Sequence, residues 1–149
     1  MNVLVDSNVL LSYLAYPERP TAPVRIVGRL LTGIDLFILP PYVVNEVREK
    51  ARSKTYFAAR VLESDVARFL DSIAPLATLS PSLPSPIPRW TRDAKDDVLV
   101  AIAPAARVDY LISGDKDLLV LGDTLAPLKV RSPQAFLDEV EGESRPGVD

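Results

Sequence analysis

Val3-Leu4-Val5-Asp6-Ser7-Asn8-Val9-Leu10-Leu11 opens the chain with three apolar residues, one acid, two small polar residues and a second apolar group. An unbroken apolar triplet predicts a short strand buried on both faces. Asp6, Ser7 and Asn8 are good helix-capping types, and Val9, Leu10, Leu11 and Leu14 then mark the buried side of a helix. A strand that runs straight into a helix is the repeating unit of a parallel sheet.

The same alternation recurs downstream. Leu36-Phe37-Ile38-Leu39 reads as a second buried strand, closed by Pro40-Pro41 and followed by a helix with Val43, Val44, Val47 and Ala51 on one side. Tyr110-Leu111-Ile112-Ser113 precedes a short helix over Leu118 to Leu121, and Leu128-Lys129-Val130 precedes a last helix through Phe136, Leu137 and Val140. Between these lie an amphipathic helix over Val24 to Leu31 stopped by Gly33, and a long helix over Tyr56 to Ile73. A short strand over Leu76 to Leu79 and a proline-rich extended loop over Pro81 to Pro88 come next, then a helix opened by Asp93. The pattern predicts an α/β fold, a three-layer α/β/α sandwich around a mainly parallel sheet. It forms one domain over residues 1–140, with a disordered tail over 141–149.

Composition narrows the chemistry. Among the 149 residues there is no cysteine and no histidine. That excludes disulfides, thiolate nucleophiles, zinc ribbons, Ser-His-Asp triads and imidazole acid–base catalysis. The first residues lack the charged start of a signal peptide and no apolar run spans a bilayer, so a cytoplasmic location away from membranes is expected. A net charge of −3 argues mildly against a nucleic-acid partner. Two local stretches run the other way, Arg48-Lys50-Arg52-Lys54-Arg60 and Arg89-Arg92-Lys95.

In a parallel sheet, ligands sit beyond the carboxyl ends of the strands. Asp6, Asp115, Glu46 and Asp96 all fall at that rim in the predicted fold. Singly, each has an ordinary structural role. Asp6 and Asp115 suit helix N-caps, Glu46 and Lys50 make an i,i+4 pair, and Asp96 with Asp97 favours a helix dipole. Together they would repel one another unless a cation neutralised them, and oxygen-only ligands suit Mg²⁺ or Mn²⁺.

The ordered motifs resemble the PIN-domain family of nucleases. Val3-Leu4-Val5-Asp6-Ser7-Asn8 resembles its opening strand and Asp, and Pro41-Tyr42-Val43-Val44-Asn45-Glu46 its helical Glu. Arg92-Asp93-Ala94-Lys95-Asp96-Asp97-Val98-Leu99 resembles its helix-opening Asp, and Tyr110-Leu111-Ile112-Ser113-Gly114-Asp115-Lys116-Asp117 its final acidic motif. The closing Ser132-Pro133-Gln134-Ala135-Phe136-Leu137 is similar to the family's end. Within the family, the chain is most similar to prokaryotic VapC-type toxins of toxin–antitoxin pairs.

The resemblance implies a ribonuclease that uses Mg²⁺ or Mn²⁺ to activate water, with Asp6, Glu46, Asp96 and Asp115 holding the metal. The helix acid is ambiguous by one position. Asp96 is preferred over Asp97 because Leu99 and Ala103 then fall on the family's apolar positions, and Asp93 and Asp96 then resemble a capping box. Asp117 and Asp97 are auxiliary acids, and Ser7, Asn8 and Ser113 supporting hydrogen-bond partners. Arg48, Arg52, Arg92 and Lys116 are candidate RNA contacts, and Tyr42, Tyr56 or Trp90 could stack a base. RNA, a cognate antitoxin and a second copy of the chain, in a homodimer or larger homo-oligomer, are the implied partners. Pro104 inside a helix and Arg107 at a normally small position depart from the family pattern.

Two other enzyme classes fit poorly. A haloacid-dehalogenase-type phosphatase requires Asp-x-Asp after the first strand, where this chain has Asp6 and Asn8. A response-regulator receiver requires an Asp after a central strand, and only Pro40-Pro41 follows Leu39. The main alternative is a catalytically silent PIN-like module that binds nucleic acid or a protein. Mutually repelling acids are not needed for that task.

Overall fold

The protein is described by a computed structural model covering residues 1–74, 77–78, 83 and 85–143. In chain order the elements are β1 (Asn2–Val5), α1 (Ser7–Ala15), α2 (Ala22–Leu31), β2 (Leu36–Ile38), α3 (Pro41–Ser53), α4 (Thr55–Ala58), α5 (Glu63–Ile73) and β3 (Ala77–Thr78). They continue with α6 (Ala94–Ala105), β4 (Tyr110–Ile112), α7 (Lys116–Leu119), β5 (Lys129–Arg131) and α8 (Pro133–Glu143). The five strands form one sheet in the order β3-β2-β1-β4-β5, and every pairing is parallel.

The apolar triplet explains the central position of β1. Val3, Leu4 and Val5 are fully buried, as are Leu111 and Ile112 on the neighbouring β4. From β1 the chain steps to β2 and β3 on one side, then crosses back to β4 and β5 on the other. Right-handed crossovers in opposite directions put their helices on opposite faces, which gives the three layers. The reversal leaves a crevice beyond the carboxyl ends of β1 and β4. Val5 pairs with Ile112, so the next residues of the two strands, Asp6 and Ser113, emerge side by side.

Four local expectations are corrected. The segment over Tyr56 to Ile73 is two helices, α4 and α5, separated by a turn. The break is fixed by Asp65, whose carboxylate accepts the Leu62 N–H at 3.1 Å, and Leu62 is 64% exposed where a continuous helix would have buried it. Asp6 occupies the N-cap position of α1 without making a side-chain cap. Asp93 does cap α6, accepting from the Lys95 N–H at 2.9 Å, but its own N–H goes to Thr91 rather than to Asp96, so no capping box forms. Helix α8 continues through Glu143, so the tail does not begin at Glu141. Leu76, Leu79, part of the proline-rich loop and residues 144–149 lie outside the described residues.

Pro104 and Arg107 belong to one helix-ending device. Arg107 N–H donates to Pro104 O at 3.1 Å and Val108 N–H to Ala103 O at 2.9 Å, a Schellman ending with Arg107 in the left-handed region (φ 55°). Glycine is the usual occupant of such a position. Among the described residues, no helix is long and apolar enough to cross a membrane.

Candidate metal centre

Asp6 is buried at the end of β1, and two hydroxyls reach it from different elements. Ser113 donates to Asp6 Oδ2 at 2.7 Å, and Ser7 Oγ lies 3.4 Å from Asp6 Oδ1. The same Ser113 oxygen accepts the Asp115 N–H at 3.0 Å, while Asp115 caps α7 by accepting from the Asp117 N–H at 2.9 Å. Burial lifts the Asp6 carboxyl above its ordinary pKa, against the Ser113 hydrogen bond and the Lys50 charge.

Asp96 enters from α6. One carboxylate oxygen each from Asp96, Asp115 and Asp117 lie within 4.8 Å of one another. Oδ2 of Asp96 is buried and accepts no hydrogen bond. Burial, followed by the charge of Asp115 and a hydrogen bond shared with it, raises the Asp96 carboxyl to about 7, with Asp93 and Asp6 adding to the effect. The site therefore concentrates hard oxygen donors around an acceptor that lacks a donor. Hydroxyl and carboxylate oxygens without nitrogen or sulfur match Mg²⁺ or Mn²⁺, and a cation would supply what Asp96 Oδ2 lacks.

Glu46, in the second turn of α3, is tied differently. Ser7 donates to its Oε2 at 2.9 Å, and Lys50 Nζ lies 3.1 Å from the same oxygen. Lys50 also donates to Ser7 Oγ at 3.0 Å and to Asn8 Oδ1 at 3.4 Å. Burial alone would raise the Glu46 carboxyl, but hydrogen bonds from Lys50, Ser7 and Tyr42 bring it below its ordinary value. The i,i+4 pair of Glu46 and Lys50 forms, and it is half-buried between α1 and α3. Burial and Glu46 push the Tyr42 phenol upward, so it stays a donor; its hydroxyl reaches Lys95 O at 3.3 Å across to α6.

Asp97 leaves the cluster. Its Oδ1 accepts from the Trp90 and Thr91 N–H groups at 2.9 and 2.8 Å and from the Thr91 hydroxyl at 3.0 Å. Its Oδ2 lies 3.2 Å from Arg89 Nε. Burial opposes ionisation of Asp97, yet these donors hold its carboxyl below the ordinary value. Asp97 is the buried anchor of the loop before α6, a role its sequence position beside Asp96 did not reveal.

The basic residues separate into two groups. Arg92 pairs with Asp117 at 2.7 Å and Lys116 is exposed between Asp115 and Asp117, so both stand at the acidic rim. Arg48 and Arg52 follow Glu46 by two and six residues, about 200° and 240° around α3. They line a separate cavity of about 270 Å³ between α3 and α5, with Val61, Glu63 and Val66. A second cavity of about 240 Å³ adjoins Glu46 and includes Tyr42, Asn45, Lys50, Lys54 and Lys95.

A family model for the PIN domain matches residues 2–117, which span β1 through the first residues of α7 and contain every acid described above. No curated protein matches the chain.

Proposed function

This chain belongs to the PIN-domain family, a family of nucleases, and on that premise we propose that it is a ribonuclease dependent on Mg²⁺ or Mn²⁺. The observation that carries the reading is the buried, unpartnered Oδ2 of Asp96 in a cluster with Asp115 and Asp117. Asp96, Asp115 and Asp117 would hold the cation, with the charge of Asp6 acting on Asp96 and Glu46 held by Ser7 and Lys50. When bound, a divalent cation supplies activated water and neutralises charge on the phosphodiester.

The chain's own residues do the remaining work. Ser113 holds Asp6 and the start of α7 in fixed relation, so the carboxylates need no reorganisation at each turnover. Lys54 and Lys95 in the cavity beside Glu46 offer ammonium groups to the phosphates flanking the cleaved bond, while Lys50 is engaged by Glu46, Ser7 and Asn8. Arg92 and Lys116 offer the same on the other rim. Two divalent cations would turn the net charge of −3 into +1, removing the overall repulsion of an RNA. The toxin role in a toxin–antitoxin pair, the cognate antitoxin and the homodimer or larger homo-oligomer rest on the motif resemblance alone, and the cytoplasmic location on the sequence pattern alone.

The test is cleavage of single-stranded RNA by purified protein with Mn²⁺, with excess EDTA, and by Asp96→Asn with Mn²⁺. Activity is expected only in the first. Equal cleavage in all three overturns the reading.

A further inference from the structure

The ends of α1 and α4 bring a group of rings and guanidinium ions together away from the acids. Arg19 stacks on the Tyr16 ring at 3.6 Å, and Arg60 lies 5.1 Å from the centroids of both Tyr16 and Tyr56. Tyr16 and Tyr56 are 6.3 Å apart by centroid, and Tyr56 meets the edge of Phe57 at 5.2 Å. Tyr56 is 53% exposed. Among the described residues, no carboxylate lies within 4.0 Å of Arg19 or Arg60. Two like charges held against one ring repel, and an anion bound by either relieves that repulsion. A guanidinium seated flat on a ring keeps its N–H fork pointing outward in the geometry that phosphate accepts. The exposed Tyr56 face offers stacking to an unpaired base.

We infer that Tyr16, Arg19, Tyr56 and Arg60 form a second contact for single-stranded RNA, holding the strand a few nucleotides from the acidic cluster. The inference rests on the ribonuclease reading. Ser7 starts α1 and Tyr16 follows its last residue, which places the two loci about 14 Å apart along the helix. Lys54, at the end of α3 between Glu46 and Tyr56, continues the positive track.

The test measures binding of a fluorescein-labelled oligouridylate by anisotropy in EDTA, where no cleavage intervenes, over a range of salt concentrations. Arg19→Gln/Arg60→Gln is expected to weaken binding at least tenfold and to flatten the logarithmic salt slope by about 1.4, for two lost phosphate contacts. Arg19→Lys/Arg60→Lys keeps the charge but loses the stacked fork, and is expected to bind between the two with a wild-type slope. Melting curves of each variant verify the fold. Wild-type affinity and slope in the glutamine variant overturn the inference, which is also the result expected if this surface receives a protein. Hydrolysis of bis(p-nitrophenyl) phosphate with Mn²⁺ reads the acidic site alone. Its loss in the wild type would sink the nuclease reading while the anisotropy result still decides this contact.

Discussion

Ser113 and Asp6 are joined by a 2.7 Å hydrogen bond across the β1–β4 register, although 107 residues separate them. Because the same Ser113 oxygen receives the Asp115 N–H, one hydroxyl sets the spacing of two acids from two strand ends. Ser113→Ala leaves a buried carboxylate without its closest donor. The expected loss of stability is about 1–3 kcal/mol by chemical denaturation, with weaker Mn²⁺ stabilisation. A loss below about 0.5 kcal/mol would show that Asp6 finds another donor.

Asp96→Asn and Asp97→Asn should part company. The first removes charge from a repelling cluster, so the metal-free melting temperature holds or rises while the Mn²⁺ response and RNA cleavage collapse. The second replaces an ionised acceptor that holds Trp90, Thr91 and Arg89, and should cost about 1–3 kcal/mol with the metal site only indirectly affected. Equal effects on Mn²⁺ binding would contradict this division of roles.

Stability without metal should fall as pH rises from about 5 to 8. The Asp96 carboxyl, raised to about 7, stabilises the fold in its protonated form. That contribution is complete below the unfolded value near 4 and is lost as pH passes through about 7. Asp6, also raised, acts in the same direction. The lowered carboxyls of Glu46, Asp97 and Glu139 act oppositely but titrate at more acid pH. Saturating Mn²⁺ should flatten the slope. Melting curves across this range in EDTA decide it, and a rising melting temperature would refute the assignment.

Arg92→Ala frees Asp117 from its ion pair. The pair is exposed on the arginine side and screened by solvent, so the melting temperature should hardly change. Mn²⁺ affinity, read by calorimetry, should rise by roughly twofold to fivefold as the competing cation leaves. Weaker Mn²⁺ binding would mean that Arg92 instead orients Asp117 for the metal.

Arg107→Gly tests the helix ending. Relief of the left-handed backbone, less the added freedom of the unfolded chain, predicts a gain of about 0.5–1 kcal/mol. A loss would show that the Arg107 side chain makes up the difference.

Much of this architecture was legible in one dimension. Val3-Leu4-Val5 and Tyr110-Leu111-Ile112 are apolar without alternation, and that pattern suits strands covered on both faces; in Leu36-Phe37-Ile38 it holds for Phe37 and Ile38 only, since Leu36, expected to be buried, is 60% exposed. The Asp93 cap and the Gly33 stop, at φ 77°, act within a few residues and were equally readable. The single long helix over Tyr56 to Ile73 failed because its apolar period runs through a turn that a side-chain hydrogen bond from Asp65 terminates. Periodicity does not register such a bond.

From its sequence, the order and type of the strands and of most helices follow directly, as does the expectation of acids at one rim of a parallel sheet, because strand, helix and cap preferences are local. Only the tertiary structure decided what each acid does. Asp6 turned from capping α1 to Ser113 on another strand, and Glu46 was taken up by Ser7 and Lys50. Asp97 went to the loop before α6, and Arg48 and Arg52 fell on the far side of α3. Asp117 moved into the cluster with Asp96 and Asp115. A carboxylate's role is set by whichever donors and charges surround it, and here several of those come from elements 39 to 107 residues away.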